Sequence, residues 1–327
     1  MLTLRFDMRA PDWAGPAADL YAAAIDMCGW AESRGAVLTV LSEHHGTEDG
    51  HLPTPLILAS AIAARTTSLA ILIAAVPIPL CDPVRLAEEI NVLDLISRGR
   101  VSYAFGVGHR PEEYEHGGVD FSERGRIADE YIAAVLALTR GEPADVAGRR
   151  VRVTPQGTSS AGPPMMIAGG SRPGVRRAAT HGLGFISQID RPDLKDYYDE
   201  RCRAAGREPG FVQFPVPGAP TAVFVADDVG AAWDELGPHL LHDARMAAAY
   251  RHGDDSIASI TRADDVPALR AADGPYRILT PADAADVVRA GRPLPLHPLC
   301  GGIDPAVAWR YLDTAVSAVA AVEQSRT

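Results

Sequence analysis

No apolar run in the 327 residues is long enough to cross a bilayer; the longest, Leu69 to Cys81, is short and broken by Pro77 and Pro79. Cysteine is scarce as well. Cys28, Cys81, Cys202 and Cys300 stand far apart, so no pair has the spacing of a metal or redox motif. Four isolated thiols suit a reducing, cytoplasmic compartment. No block of basic residues is present. Acidic side chains outnumber basic ones by 42 to 31, a formal net charge of -11, which argues against nucleic acid or an anionic membrane surface as the main partner. The N-terminus, MLTLRFDMRAPDW, lacks a basic stretch followed by an apolar one and predicts no secretory leader. Internal repeats and low-complexity linkers are also missing. What remains is 47% apolar and 22% charged, the balance of a soluble globular chain rather than a disordered one. The length allows one large α/β barrel or two ordinary domains.

The first half alternates strand-like and helix-like stretches. Leu2 to Asp7, Ala36 to Ser42, Leu69 to Val76 and Val101 to Val107 read as strands, the middle two apolar enough to be buried on both faces. Ala17 to Arg34, Leu56 to Arg65, Pro83 to Ile96 and Ser122 to Thr139 read as helices. Asp82-Pro83 is an N-cap followed by proline at the first helical position, and Gly99 follows the third helix. Further on, Met165 to Ala168, Leu183 to Ser187, Thr221 to Ala226 and Leu294 to Leu299 complete eight strands. Gly174 to Thr180, Pro192 to Ala205, Pro281 to Arg289 and Pro305 to Val322 are the helices among them. This predicts an α/β fold of the (β/α)8 TIM-barrel type, a single domain over 1–327. Pro143 to Pro155 reads as a small hairpin. A polar stretch from His239 to Tyr276 reads as an insertion near the seventh strand, a cap or lid.

In such a barrel the active site lies at the C-terminal ends of the strands. That rule selects Ser42-Glu43-His44-His45, Ala74-Ala75-Val76-Pro77, Gly106-Val107-Gly108-His109-Arg110 and Ala168-Gly169-Gly170-Ser171-Arg172. Adjacent histidines at a strand end can ligate a metal, cap the loop, or serve as acid and base. A metal needs further ligands, and the other ends offer Asp7 and His109 but no His-x-His pair, so no metal site is expected. Gly169-Gly170-Ser171 opens a helix, where backbone N–H groups and the helix dipole suit a phosphate, or it is an ordinary tight turn.

Several of these blocks resemble the luciferase-like flavin monooxygenases of bacteria. They are Ser42-Glu43-His44-His45-Gly46-Thr47-Glu48-Asp49-Gly50, Cys81-Asp82-Pro83-Val84-Arg85-Leu86-Ala87-Glu88-Glu89, and Leu93-Asp94-Leu95-Ile96-Ser97-Arg98-Gly99-Arg100. Gly106-Val107-Gly108-His109-Arg110-Pro111-Glu112-Glu113-Tyr114 and the Ala168–Gly182 block follow in the same order. The resemblance implies a TIM-type barrel with reduced flavin at its mouth. It implies that His44 lies beside the flavin ring as acid or base, with His45 and His109 as lesser candidates, and that Ala74-Ala75 forms a non-prolyl cis peptide against the ring. Gly106, Gly108, Gly169, Gly170 and Ser171 would hold the cofactor. The family's phosphate-binding arginine after the fourth strand is replaced here by Val107, with Arg110 or Arg172 as substitutes.

The implied activity is a two-component monooxygenase that takes reduced FMN from a separate reductase and uses O2 on a small organic substrate. Coenzyme F-420-dependent hydride transfer is the alternative, kept open by an Ala-, Arg-, Gly- and Asp-rich composition. A non-catalytic flavin-binding partner protein is the third reading. Family members pair through early helices, so a homodimer is expected through Leu86, Ile90, Leu93 and Ile96.

Overall fold

The computed structural model describes residues 1–254 and 256–324. The first half contains β1 (Leu2–Phe6), α1 (Ala17–Glu32), β2 (Ala36–Leu41), α2 (Pro55–Arg65), β3 (Ala70–Pro77), α3 (Pro83–Ser97), β4 (Val101–Gly106), a short α4 (Pro111–His116) and α5 (Arg124–Thr139). A hairpin of β5 (Ala144–Val146) and β6 (Arg149–Val151) follows where one is expected. Next come β7 (Met165–Ala168), α6 (Arg172–His181), β8 (Gly184–Ile186), α7 (Pro192–Ala204), β9 (Val212–Gln213), β10 (Ala222–Val225) and α8 (Val229–Ala249). The chain ends with α9 (Val266–Ala271), β11 (Tyr276–Leu279), α10 (Pro281–Arg289), β12 (Leu294–Leu296) and α11 (Pro305–Gln324).

Local chemistry accounts for these elements. The Asp82 carboxylate accepts the N–H groups of Val84 and Arg85, both at 2.9 Å, and Pro83 opens α3 without leaving an orphan donor. Ser171 caps α6, and the helix starts at Arg172 rather than Gly174. In β1, Leu2, Leu4 and Phe6 are buried, and every residue of β10 is. One buried apolar cluster runs from Leu2 to Val319.

Ten parallel strands form one sheet in the order β11-β10-β12-β1-β2-β3-β4-β7-β8-β9. The last strand lies between β1 and β10, so the end of the chain closes on its beginning. Parallel pairing sets the C-terminal ends of the strands on one rim, which brings the four selected segments together. Ten strands replace the eight expected. Val212–Gln213 is too short to read as a strand, and Tyr276–Leu279 falls at the end of a polar stretch.

The polar stretch also needs new bounds. His239 to Ala249 completes α8, which carries Pro238 within it, and Tyr276 already belongs to β11. The excursion is therefore 250–275. Glycine at 237 and proline at 238 obscure the helical period, yet Gly237 is where Val266 of α9 packs closest.

The face expected to pair two copies is also corrected. Leu86, Ile90 and Leu93 are buried against the barrel within one chain. The exposed apolar residues here are Val92, Leu95 and Ile96 on α3, with Ile57 on α2. Among the described residues, no helix is long and apolar enough to cross a membrane.

Candidate active site

The loop after β2 is tied to the end of β1. His44 N–H donates to the Leu52 carbonyl at 3.1 Å, Leu52 N–H to that of Asp7 at 2.7 Å, and Ala10 N–H to that of Asp49 at 2.7 Å. This fixes the direction of His44, whose Nδ1 lies 2.7 Å from Glu113 Oε1. Glu113 sits on α4, just past β4. Its Oε1 also accepts from His45 N–H and Arg110 Nη1, each at 3.1 Å, and its side chain is only 2% exposed.

The electrostatics follow from these contacts. Burial pushes the Glu113 carboxyl upward, but the hydrogen bond and charge of His44, the His45 N–H and Arg110 outweigh it, so the group lies below the ordinary carboxylate range. Burial lowers His44, and Glu113 restores only part of the loss. Near neutral pH the pair is therefore a carboxylate and a neutral imidazole. An ionised carboxylate only accepts, so Nδ1 carries the proton and Nε2 is left as a base. At 21% side-chain exposure His44 can still reach a ligand.

Three more rings surround it. His51 stands edge-on at 4.7 Å between centroids, its Nε2 2.9 Å from Ser42 Oγ. His109 stands edge-on at 5.7 Å, and its Nε2 is buried without a hydrogen-bond partner. Burial, helped by the nearby Arg251, lowers His109 to about 3, so it acts as a neutral donor or acceptor and not as a base near pH 7. Tyr250 lies 5.3 Å away. By contrast His45 pairs with buried Glu43 at 3.0 Å, and that hydrogen bond raises its pKa.

Tyr250 comes from the excursion after α8. Its hydroxyl accepts from Arg9 Nη1 at 3.0 Å, and the Arg110 guanidinium lies over its ring at 4.1 Å. Arg9 also pairs with Asp49 at 2.6 Å and with Asp243 at 2.9 Å, and His242 meets Asp49 at 3.0 Å. Neither Glu113 nor Tyr250 was singled out from the sequence. Glu113 lies inside the quoted His109–Tyr114 block, which was the available signal. Tyr250 had none, because its hydrogen-bond partners Arg9 and Asp49 lie 241 and 201 residues away.

The predicted cofactor-binding positions fall into two groups. Ala74, Ala75, Gly106 and Gly108 meet at the ends of β3 and β4. The Ala74–Ala75 bond is cis, and a Cβ on Gly106 would sit 3.4 Å from Ala75 Cβ and 3.9 Å from the Ala168 carbonyl oxygen. Gly169, Gly170 and Ser171 follow β7 beside them. A Cβ on Gly169 would meet nothing within 4 Å, whereas one on Gly170 would strike Ile189 at 2.5 Å. Small residues at three adjacent strand ends leave room for a flat aromatic ring, which fits a flavin. Arg110 is committed to Glu113, the His45 carbonyl and the Tyr250 ring. Arg172 is exposed, 5.0 Å over the Tyr197 ring.

Two other features lie apart from this set. A groove of about 630 Å³ between α8 and α9 is lined by Trp233, Pro238, Val266 and Arg270, with no rim residue. Asp243, His297 and Cys300 have ligand-type atoms within 4.8 Å of one another. However, Asp243 already accepts the Tyr276 hydroxyl at 2.7 Å and holds Arg9, whose charge opposes a second cation.

The C-terminal rim of the parallel sheet thus carries a histidine–carboxylate pair and small residues, at the end where α/β-barrel enzymes place their active sites. The luciferase-like monooxygenase profile matches residues 7–294, and the chain belongs to that family. It is 29% identical over 178 residues to the alkanal monooxygenase alpha chain of Photorhabdus luminescens, covering 51% of this chain and 49% of that one. It is 30% identical over 145 residues to an uncharacterized protein of Mycobacterium bovis, covering 41% and 50%. The chain thus spans about half the length of the curated relatives it matches. Among solved structures, a monooxygenase from Streptomyces bottropensis superposes with a TM-score of 0.75 at 21% identity, covering 98% of both chains. The oxygenating constituent of 3,6-diketocamphane monooxygenase from Pseudomonas putida, in complex with FMN, gives 0.72 at 20% identity, covering 98% and 97%. These likenesses establish the barrel fold of the family.

Proposed function

We propose that this chain is a flavin-dependent monooxygenase, a single luciferase-like domain that binds reduced FMN delivered by a separate reductase and acts on a small organic molecule. The observation that carries this reading is the His44–Glu113 pair, set on the rim beside strand ends that carry Ala74, Ala75, Gly106 and Gly169, the last with open space in front of it. Bound reduced FMN supplies the electrons that, with O2, insert one oxygen atom into a substrate and reduce the other to water.

The protein's part is positioning and proton handling. Ala74, Ala75, Gly106 and Gly108 form the surface against which the ring lies. Gly169, Gly170, Ser171 and the start of α6 face the phosphate. His44 Nε2 accepts or returns a proton at the reacting groups, while Glu113 holds Nδ1–H and fixes the tautomer. His109 Nε2 offers a hydrogen bond to substrate or ring. Val92, Leu95, Ile96 and Ile57 form the face through which two copies pair in the cytoplasm, and light scattering at micromolar concentration checks that mass.

Equilibrium titration with FMN, reduced FMN and coenzyme F-420 tests the assignment. Tightest binding of reduced FMN supports it. Tightest binding of coenzyme F-420, with no oxygen uptake, replaces it with hydride transfer.

A further inference from the structure

His44 and His109 each leave one ring nitrogen for a ligand, and the two nitrogens ask for different things. Glu113 holds His44 Nδ1 at 2.7 Å and fixes the proton there, so Nε2 presents a lone pair that calls for a donor. The side chain is 21% exposed, enough for a ligand to reach it. Past β4, Gly108 turns the chain at φ 66°. The His109 ring then stands edge-on to His44, with 5.7 Å between centroids. Its Nε2 is buried with no hydrogen-bond partner. His109 is neutral near pH 7, so with its one proton on Nε2 it is a donor aimed at an acceptor the protein does not supply.

Ligand chemistries differ in how they meet this pair. An alkyl chain satisfies neither nitrogen. A carbonyl oxygen accepts from His109 but has nothing to donate to His44. A hydroxyl does both, giving its O–H to His44 Nε2 and taking the N–H of His109 on its oxygen. Charge narrows the choice. Arg9 and Arg110 lie over the Tyr250 ring at 5.0 and 4.1 Å, and they are already paired with Asp49, Asp243 and Glu113. An anionic ligand would have to displace one of those carboxylates, so the fit is to an uncharged one. Acidity narrows it again. Burial holds His44 below the ordinary imidazole range, and a weak base takes a proton only from an acidic hydroxyl. A phenol, which titrates at about 10 as tyrosine does, is within reach, whereas an aliphatic alcohol is a far weaker acid. The remaining walls are rings as well: His51 is edge-on to His44 at 4.7 Å and Tyr250 tilted at 5.3 Å, surroundings that suit a flat aromatic molecule.

We propose that the substrate of this site is an uncharged phenol-type molecule, its hydroxyl held between His44 Nε2, which accepts the O–H, and His109 Nε2–H, which donates to the oxygen. This rests on the flavin reading above and gives it a substrate class. As Nε2 takes the proton, the O–H bonding pair stays on the oxygen and enriches the ring that is to receive the oxygen atom.

The test uses three probes of one shape: p-cresol, p-methylanisole, which accepts but cannot donate, and p-xylene, which does neither. Each is dialysed to equilibrium against the full chain loaded with reduced FMN under anaerobic conditions, and uptake of reduced FMN is measured on the same samples. The wild type should bind p-cresol roughly tenfold or more above p-xylene, with p-methylanisole well below p-cresol. His44→Ala should erase the advantage of p-cresol over p-methylanisole. His109→Leu should cut the advantage of p-cresol over p-xylene by roughly 3–10-fold and leave p-xylene within about twofold, and His109→Gln, which keeps a donor, should recover part of it. Equal binding of all three probes by the wild type, or a preference for p-cresol untouched by His44→Ala or by His109→Leu, would overturn the assignment. Flavin uptake without a preference for p-cresol defeats this inference alone, whereas no flavin uptake by the wild type defeats the flavin reading. Unchanged melting temperatures in the variants keep a folding defect from imitating the result.

Discussion

The two halves of the rim are built differently. On the β2–β4 side, His44 is held by backbone hydrogen bonds of its own loop and by a carboxylate on the next but one strand's helix, with His51 and His109 packed edge-on against it. On the C-terminal side, Tyr250 and Arg251 arrive on an excursion held by Arg9, Asp49, Gln188 and one two-residue bridge. On the proposed function the first half carries the proton-handling pair, and local backbone hydrogen bonds hold it. The second is attached by a few long-range polar contacts, the kind of segment that varies and shapes what enters. On the proposed function, proton handling falls to the first side and ligand selection to the second.

The largest effect should come from the first side. His44→Ala removes a neutral imidazole that has both an orienting carboxylate and an accessible nitrogen. Turnover should fall by about 10²–10⁴-fold, with reduced-flavin affinity nearly unchanged because the ring and phosphate contacts lie on other strands. Single-turnover kinetics with a substrate identified by screening would check it; near-native turnover would move the role elsewhere.

Glu113→Gln should cost less, roughly 10–100-fold, since the imidazole remains but loses its charged orienting partner. The direction on pH is definite. The Glu113 charge and hydrogen bond raise the His44 pKa, so their removal lowers it further. The acid limb of the kcat profile should shift to lower pH. A shift to higher pH would contradict the pairing.

Much of this was legible in the chain. Apolar runs such as Ala36–Leu41, and the Asp82-Pro83 cap, are local signals that place the elements, but Val37 is exposed, so that strand is not buried on both faces as its composition predicts. β9 is two residues long, β11 alternates through Arg277, and α8 carries glycine and proline in its middle, so none has a clean period. At the site, His44 could be chosen from its strand end alone. Glu113 could not, because Glu112 and Glu113 are equivalent in sequence and only the turn of α4 decides which faces inward. Tyr250 depends on closure of the chain and leaves no trace in spacing.

On the other side, Tyr250→Phe deletes one hydroxyl that meets Arg9 and Asp49. It should destabilise the protein by about 0.5–1.5 kcal/mol and change KM more than kcat. If kcat falls as far as in Glu113→Gln, the division between the two sides fails. Urea unfolding together with steady-state kinetics separates these outcomes.

The smallest effect is on stability with pH. His44, His51 and His109 are all lowered by burial, so below about pH 6.5 the unfolded chain takes up protons that the folded one refuses. Their contribution is intact above that pH and is lost as pH falls toward the folded values. His45, raised by Glu43, acts in the opposite sense and loses its contribution as pH rises through its folded value. The melting temperature should drop between pH 7 and pH 5, and His109→Asn should flatten the drop. A flat wild-type profile would mean these rings are not buried as described.

The most direct measurement mixes the protein, loaded with reduced FMN under anaerobic conditions, with oxygenated buffer in a stopped-flow instrument across pH 5 to 9. Wild type and His44→Ala are compared for the reoxidation of the bound flavin. With His44 as the proton-handling base, the wild type should show a pH-dependent phase governed by a single group below the ordinary histidine value, and His44→Ala should lose that dependence while still binding flavin. Identical pH profiles in the two proteins would contradict the assignment of His44 and Glu113 as the acid/base pair of the site.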